Sequence, residues 1–117
     1  MNKREQDKTR PLYMISVVCE MLDVHPQTLR LYEKEGLVHP LRTNKQRLYS
    51  ENDVERLTFI LQLTREMGVN RAGVDIILRM RHRMEALHRE MEDMVQLLED
   101  DTRRSFRERI RRALRED

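Results

Sequence analysis

Ile77, Met80, Met84, Leu87, Met91, Met94 and Leu98 follow one another at separations of 3, 4, 3, 4, 3 and 4 residues. That is an unbroken heptad seam across 22 residues, about 33 Å at the rise of an α-helix. The positions around it, Arg81, Arg83, Glu85, Arg89, Glu90, Glu92 and Asp93, carry both signs of charge, as a solvated face does. A narrow apolar stripe on so charged a helix is not stable alone in water and needs a partner helix. A second copy of the same chain is the simplest partner; packing back onto the chain's own domain is the alternative. The four methionines of the seam read as adaptable core filler rather than as a metal or ligand site.

The rest of the chain must therefore be a small unit joined to that helix. Its 117 residues suit one domain or a small domain with an extension. Charged residues are 38% of the chain, as many as the apolar ones, and aromatics only 4%, so charged helices are expected rather than a large mixed core. The formal charge of +2 conceals local concentrations of arginine, and the pattern matters more than the total. The lone Cys19 excludes an intramolecular disulfide, and no Cys/His pair stands at zinc-ligand spacing. No apolar run approaches the roughly 20 residues that span a bilayer. The basic start, Met1-Asn2-Lys3-Arg4-Glu5, lacks the apolar core of a secretory signal. A soluble intracellular protein is expected.

Residues 1–11 are polar and end at Pro11; they read as a flexible arm whose Lys3, Arg4, Lys8 and Arg10 could touch phosphates. Leu12-Tyr13-Met14-Ile15 leads into Ser16 as a helix N-cap, with Val17, Val18, Met21 and Leu22 as the apolar face. Cys19 in this helix reads as a small buried side chain, without a partner thiol for redox or metal chemistry.

After Asp23, the run Val24-His25-Pro26-Gln27-Thr28-Leu29-Arg30-Leu31-Tyr32-Glu33 starts a second helix. Pro26 suits its first position, where a missing N–H costs nothing, and His25 precedes it as a passable cap. Leu29 anchors it, and Gly36 stops it before Leu37. Gln27, Thr28 and Arg30 point outward, where a helix N-terminus can approach phosphates and hydrogen-bond base edges in a major groove. On these ten residues alone an ordinary surface helix is an equal reading. Two short helices joined by about three residues make a helix-turn-helix.

Leu37 to Tyr49 holds a proline, β-formers at both ends and a basic polar tip. It reads as a two-stranded wing turning near Asn44-Lys45, since Asn tolerates the left-handed conformation. Arg42, Lys45 and Arg47 on that wing would flank the second helix and hold phosphates; a basic surface loop is the plainer reading. Ser50 then caps a helix with Glu51 and Asp53 in its first turn. Val54, Leu57, Phe59, Ile60, Leu61 and Leu63 carry it to a C-cap at Gly68. Asn70 caps the next helix, through Val74, Ile76, Ile77 and Leu78. In the last stretch, Phe106, Ile110 and Leu114 recur among seven arginines from Arg103 to Arg115. A solvated tail is the default there and a basic amphipathic helix the alternative.

Taken together, Ile15-Ser16, His25-Pro26-Gln27-Thr28-Leu29-Arg30, Tyr32-Glu33, Gly36-Leu37, Pro40, Arg42-Thr43, Arg47-Leu48-Tyr49-Ser50 and Asp53 resemble the DNA-binding domain of the MerR family of bacterial transcription regulators. The His-Pro-Gln-Thr-Leu-Arg run and the Arg-Thr before the wing tip look like its heat-shock repressor branch, HspR. The resemblance covers roughly residues 12–80. It implies a mostly α fold: a winged helix-turn-helix followed by a long dimerisation helix that joins two copies in an antiparallel coiled coil. The organisation expected is an arm at 1–11, the DNA-binding domain at 12–80, the coiled-coil helix at 81–99 and a basic tail at 100–117. The dimer interface would be the seam from Ile77 to Leu98. The family's DNA contacts carry over to Gln27, Thr28, Arg30 and Tyr32 and, on the wing, to Arg42, Arg47 and Tyr49. Gln27 and Thr28 would go to base edges, and Arg30, Tyr32, Arg42, Arg47 and Tyr49 chiefly to phosphates. Asp23 stands where the family often has glycine in the turn between the helices, which implies a turn held at some strain. Asn44-Lys45-Gln46 lacks the glycines common at this branch's wing tip.

The function this implies is a homodimeric repressor of heat-shock and chaperone genes on a palindromic operator, in the bacterial cytoplasm at the nucleoid. The branch adds the DnaK-type chaperone as co-repressor; no cofactor is called for. The metal-sensing branches' cysteines are missing from the dimer helix, and no room remains for the ligand domain of the drug-sensing branches. Alternatives are an architectural or excision-type protein that bends DNA, a regulator of the same family answering another stimulus, and an adaptor that has lost DNA binding. An enzyme is not expected: no Ser/His/Asp, Cys/His or paired-carboxylate set stands out, and three glycines make no phosphate loop.

Overall fold

The computed structural model describes residues 7–115, so Lys3 and Arg4 of the expected arm lie outside the described residues. Contacts divide the chain into two units, Met1–Asp75 and Ile76–Asp117.

The first unit is the winged helix-turn-helix. Strand β1 (Tyr13–Met14) runs into α1 (Ile15–Leu22), and α2 (Pro26–Lys34) follows. Strands β2 (Leu41–Thr43) and β3 (Gln46–Tyr49) form the wing, and α3 (Glu51–Leu61) leads into a π-helical turn at Gln62–Glu66. The wing is three-stranded, in the order β1-β3-β2, because the Leu12–Ile15 run extends along β3 before its helix begins. Tyr13 pairs with Tyr49 and Met14 with Leu48. On the other edge Leu41 pairs with Leu48, Arg42 with Arg47 and Thr43 with Gln46. The turn between them is at Asn44-Lys45, and Asn44 takes φ +46°, as its short polar side chain permits.

The expected cap at Ser16 is not formed. The N-cap of α1 is Met14, with no side-chain cap, since the pairing of Met14 with Leu48 delivers the chain directly into the helix. The other starts follow the residues. Ser50 and Asp53 close a reciprocal capping box on α3. The Asn70 side chain accepts from the Gly73 N–H at 2.9 Å as the next helix begins.

Val18, Cys19, Val24, Leu29, Val38, Tyr49, Leu57 and Leu61 form the buried core, with Tyr13, Ile15, Leu22, Tyr32 and Val54 packed against it. Leu29 is the one fully buried residue of α2. Burial of these side chains, about 1.5–3 kcal/mol for a fully buried aliphatic one, is the main favourable contribution to this unit. Residues ahead of β1 are attached to this unit: Lys8 Nζ lies 2.9 Å from Glu55 Oε1. The Asn52 N–H donates to the Lys8 carbonyl, and the Leu12 N–H to that of Tyr49.

Helix α4 (Arg71–Val95) begins in the first unit and supplies the long helix of the second. It stops at Val95, so the seam's last residue, Leu98, lies beyond it in a turn closed by Leu97 N–H to Met94 O and Leu98 N–H to Val95 O. A further helix, α5, spans Asp100–Leu114, where a solvated tail was the default expectation. Asp100 and Asp101 stand in its first turn and Arg111 and Arg112 in its last, matching the helix dipole at both ends. Its inner face docks on α4: Ile110 and Val95 are both buried, and Arg107 Nε lies 3.5 Å from Glu92 Oε2. Arg103 Nη2 donates to the Leu98 carbonyl at 2.9 Å and ties off the connecting turn. In the single chain, Met80, Met84, Leu87 and Met94 remain 58–62% exposed, while Ile77, Met91 and Leu98 are partly covered.

Candidate nucleic-acid interface

The candidate interface is built on the start of α2 and on the wing. His25, extended at φ −74° and ψ 142°, is the N-cap. Its Nδ1 accepts the Gln27 N–H at 3.0 Å, and its carbonyl the Thr28 N–H at 2.9 Å. With Pro26 at the first helical position, the orphan donors of this helix start are largely answered. Gln27 and Arg30 are exposed beside that start, whereas Thr28 is half-buried. Tyr32 is half-buried against the core, which leaves part of the side chain accessible. The helix ends in a Schellman motif: Gly36 takes φ +77°, its N–H donates to Glu33 O, and the Leu37 N–H to Tyr32 O.

The wing brings two of the expected phosphate ligands onto α2. Arg42 and Arg47 face each other across β2 and β3, a like-charge pair that is unfavourable unaided. Glu33 of α2 faces the wing and pairs with both: Arg47 Nε donates to Oε1, and Arg42 Nη1 lies 3.8 Å from Oε2. The Glu33 and Arg47 side chains are only 16% and 23% exposed, but Arg42 is 62% exposed. Arg42 is thus presented outward, and Arg47 is held by its Nε. Lys45 is exposed at the tip.

Tyr49 departs from the expectation. Its side chain is fully buried, and the hydroxyl has no hydrogen-bond partner among the described residues. Side chains two apart along a strand share a face, and that face of β3 turns inward at Tyr49 as the chain enters α3. Burial pushes the phenol up to about 12, and the Glu33 carboxylate adds to the push. A hydroxyl in that position meets the core, not a phosphate. Burial likewise raises the Cys19 thiol, while Arg30 pulls it down.

The bridging role of Glu33 goes beyond its place at the end of the helical run, although an acid between two basic elements is a signal for a bridge. Arg56 and Arg65 also have roles that the sequence pattern does not mark. Arg56 Nε donates to the Leu37 carbonyl at 2.5 Å, just past the end of α2. Arg65 reaches the turn ahead of α2, donating from Nη1 to Leu22 O at 3.3 Å and from Nη2 to Asp23 O at 2.6 Å. Nothing in the spacing of these arginines distinguishes them from solvated ones.

Residues 13–81 match the family described as MerR HTH family regulatory protein. The chain is 39% identical over 87 residues to a protein of Streptomyces coelicolor named as heat shock protein HspR, covering 74% of this chain and 58% of that one. It is 29% identical over 108 residues to the HTH-type transcriptional regulator GlnR of Bacillus anthracis, covering 92% and 83%. It is 35% identical over 106 residues to the mercuric resistance operon regulatory protein of Bacillus cereus, covering 87% and 80%. The chain thus spans a little over half the length of the HspR relative.

Proposed function

The chain belongs to the MerR family of HTH regulatory proteins, a family of DNA-binding transcription regulators, and on that premise we propose that it represses heat-shock and chaperone genes as a homodimer on a palindromic operator. The observation that carries the DNA-binding part is the exposed start of α2, with Gln27 and Arg30, beside a wing that presents Arg42 and Lys45. Gln27 and Thr28 read base edges, and Arg30, Tyr32, Arg42, Lys45 and Arg47 hold phosphates. Arg47 does so through the guanidinium nitrogens left over from its bond to Glu33. The homodimer rests on the exposed row Met80, Met84, Leu87 and Met94, an apolar stripe that a second copy covers.

The choice of stimulus rests on the HspR relative. A DnaK-type chaperone as co-repressor rests on resemblance to that branch alone. A second reading, a regulator of the same family answering another stimulus, is favoured by the GlnR relative, whose alignment covers more of both chains. Genome-wide mapping of bound sites before and after heat shock separates the two. The repressor reading expects the strongest sites upstream of chaperone genes, vacated on heating. Strong sites elsewhere, unchanged by heat, overturn it in favour of the second.

A further inference from the structure

The backbone between α1 and α2 carries an unusual residue. Asp23 takes φ +52° and ψ 59°, the left-handed conformation that disfavours a side chain. The N–H groups of Asp23 and Val24 both converge on the Cys19 carbonyl, the latter at 3.0 Å, which closes α1 in a Schellman-type turn. This turn sets the angle at which α2 leaves α1. Aspartate is among the few side chains that visit this conformation, at a cost glycine does not carry, so the turn depends on the contacts around it.

Beyond those two backbone bonds, the contact that holds it is the guanidinium of Arg65. Its Nη1 and Nη2 donate to two successive carbonyls, Leu22 O at 3.3 Å and Asp23 O at 2.6 Å. Leu22 O is among the orphan acceptors at the C-terminus of α1, where the helix dipole also favours a cation. Arg65 comes to this place through the π-helical turn Gln62–Glu66, closed by the Met67 N–H on Gln62 O at 3.2 Å. The wider turn takes in one extra residue, and each residue of an α-helix turns the side-chain direction by roughly 100°. The extra residue therefore decides which side chain faces the turn. The far end of α2 is fixed independently by Gly36 and by Arg56 on Leu37 O.

We propose that Arg65 is a positioning residue for the DNA-reading helix, acting through the left-handed turn at Asp23. It contacts no base or phosphate. It fixes the aim of α2, and with it the registration of Gln27 and Thr28 on base edges. The proposal rests on the DNA-binding reading for its effect on specificity, but not for its effect on the turn.

The test compares Arg65→Ala, Arg65→Lys and the double variant Asp23→Gly/Arg65→Ala with the unmodified chain. One readout is amide hydrogen exchange at Val24 in the free protein. The other is the ratio of affinities for a duplex selected by the unmodified chain from a random pool and for an unselected duplex. Arg65→Ala should speed exchange at Val24 at least tenfold and lower the ratio at least tenfold. Affinity for the unselected duplex and its salt dependence should stay as they were. Arg65→Lys should recover part of both losses through the nearer carbonyl, Asp23 O. Glycine at 23 adopts the turn without strain, so the double variant should recover most of both. If Arg65→Ala fails to fold, the double variant carries the test, and its failure to fold overturns the proposal. So does exchange at Val24 unchanged by Arg65→Ala, or a double variant no better than Arg65→Ala. An unmodified chain that selects no duplex refutes the DNA-binding reading instead, and the exchange measurement still decides the role of Arg65.

Discussion

Arg47 of the wing and Glu33 of α2 form a largely buried ion pair, so the wing is attached to the helix it flanks before any DNA arrives. The carboxylate costs some attraction for phosphates, and in return it places Arg47 and offsets its repulsion with Arg42.

Glu33→Gln exposes that exchange. Loss of a charge-assisted bond in a mostly buried setting should lower unfolding stability by about 1.5–3 kcal/mol, read by denaturant titration. Removal of one negative charge beside two guanidinium groups should raise affinity for unselected DNA, while preference for the selected duplex falls. A rise in preference would mean that Glu33 opposes binding without organising the wing.

Arg30→Ala and Arg42→Ala should weaken selected and unselected DNA alike, each reducing the salt slope by about one phosphate. Gln27→Ala should act differently, relaxing preference by about 1–3 kcal/mol per lost base contact with the slope unchanged. Competition binding at several salt concentrations separates the two patterns. A Gln27→Ala variant that changed only the slope would move Gln27 to the backbone.

Tyr49→Phe tests the buried phenol. Removing a hydroxyl that has no partner among the described residues should leave stability equal or higher by up to ~1 kcal/mol, with DNA affinity unchanged. The phenol is raised to about 12 in the fold, against about 10 for an ordinary tyrosine. Its neutral form is therefore favoured in the native state, and the unfolded chain loses this proton first as pH rises. The associated stability is complete below about pH 10 and is lost as pH climbs toward 12. Thermal unfolding across that range should show a steeper alkaline decline in the parent than in Tyr49→Phe. Parallel declines would place the phenol in contact with water.

The helix-turn-helix and the wing were legible because local chemistry and tertiary packing agree there. Pro26, Gly36, Asn44, Ser50 and Asn70 each mark a turn or a helix start with a residue whose backbone preference is strong. Ser16 carried the same kind of signal and lost, because strand pairing of Met14 with Leu48 set where α1 begins. Tyr49 was misplaced for a related reason: alternation along β3 is readable, but which face turns inward depends on the chain's path into α3. Arg65 and Arg56 were invisible, since their partners are backbone carbonyls 42 and 19 residues away. The helix α5 was ambiguous because seven arginines mask its short apolar row, and only burial of Ile110 in the folded chain makes that row count.

Leu87→Lys tests the exposed row on α4. A lysine buried without a partner in a dimer would cost about 3–5 kcal/mol, more than a hundredfold in the dimer constant. Sedimentation should find a monomer at concentrations where the parent is a dimer, and affinity for a two-half-site duplex should fall toward that for one half-site. A Leu87→Lys dimer of parental strength would place the interface elsewhere.

Phe106 to Leu114 is the sort of segment that chaperones of the DnaK class favour, with apolar residues among arginines, provided that it is extended. In the structure it is helical, with Ile110 buried against α4 and Arg107 paired to Glu92. A chaperone that uses this segment must first undock and unwind it. Ile110→Ala should weaken docking by about 2–3 kcal/mol, the low end for a buried isoleucine at a two-helix contact. Ile110→Asp should undock the helix outright, and amide exchange over residues 103–114 should accelerate in that order. If the segment serves the chaperone, binding of a DnaK-type chaperone should tighten in the same order and vanish on truncation after Asp101. Chaperone binding that persists in the truncated chain would exclude the segment and turn attention to the exposed face of α4.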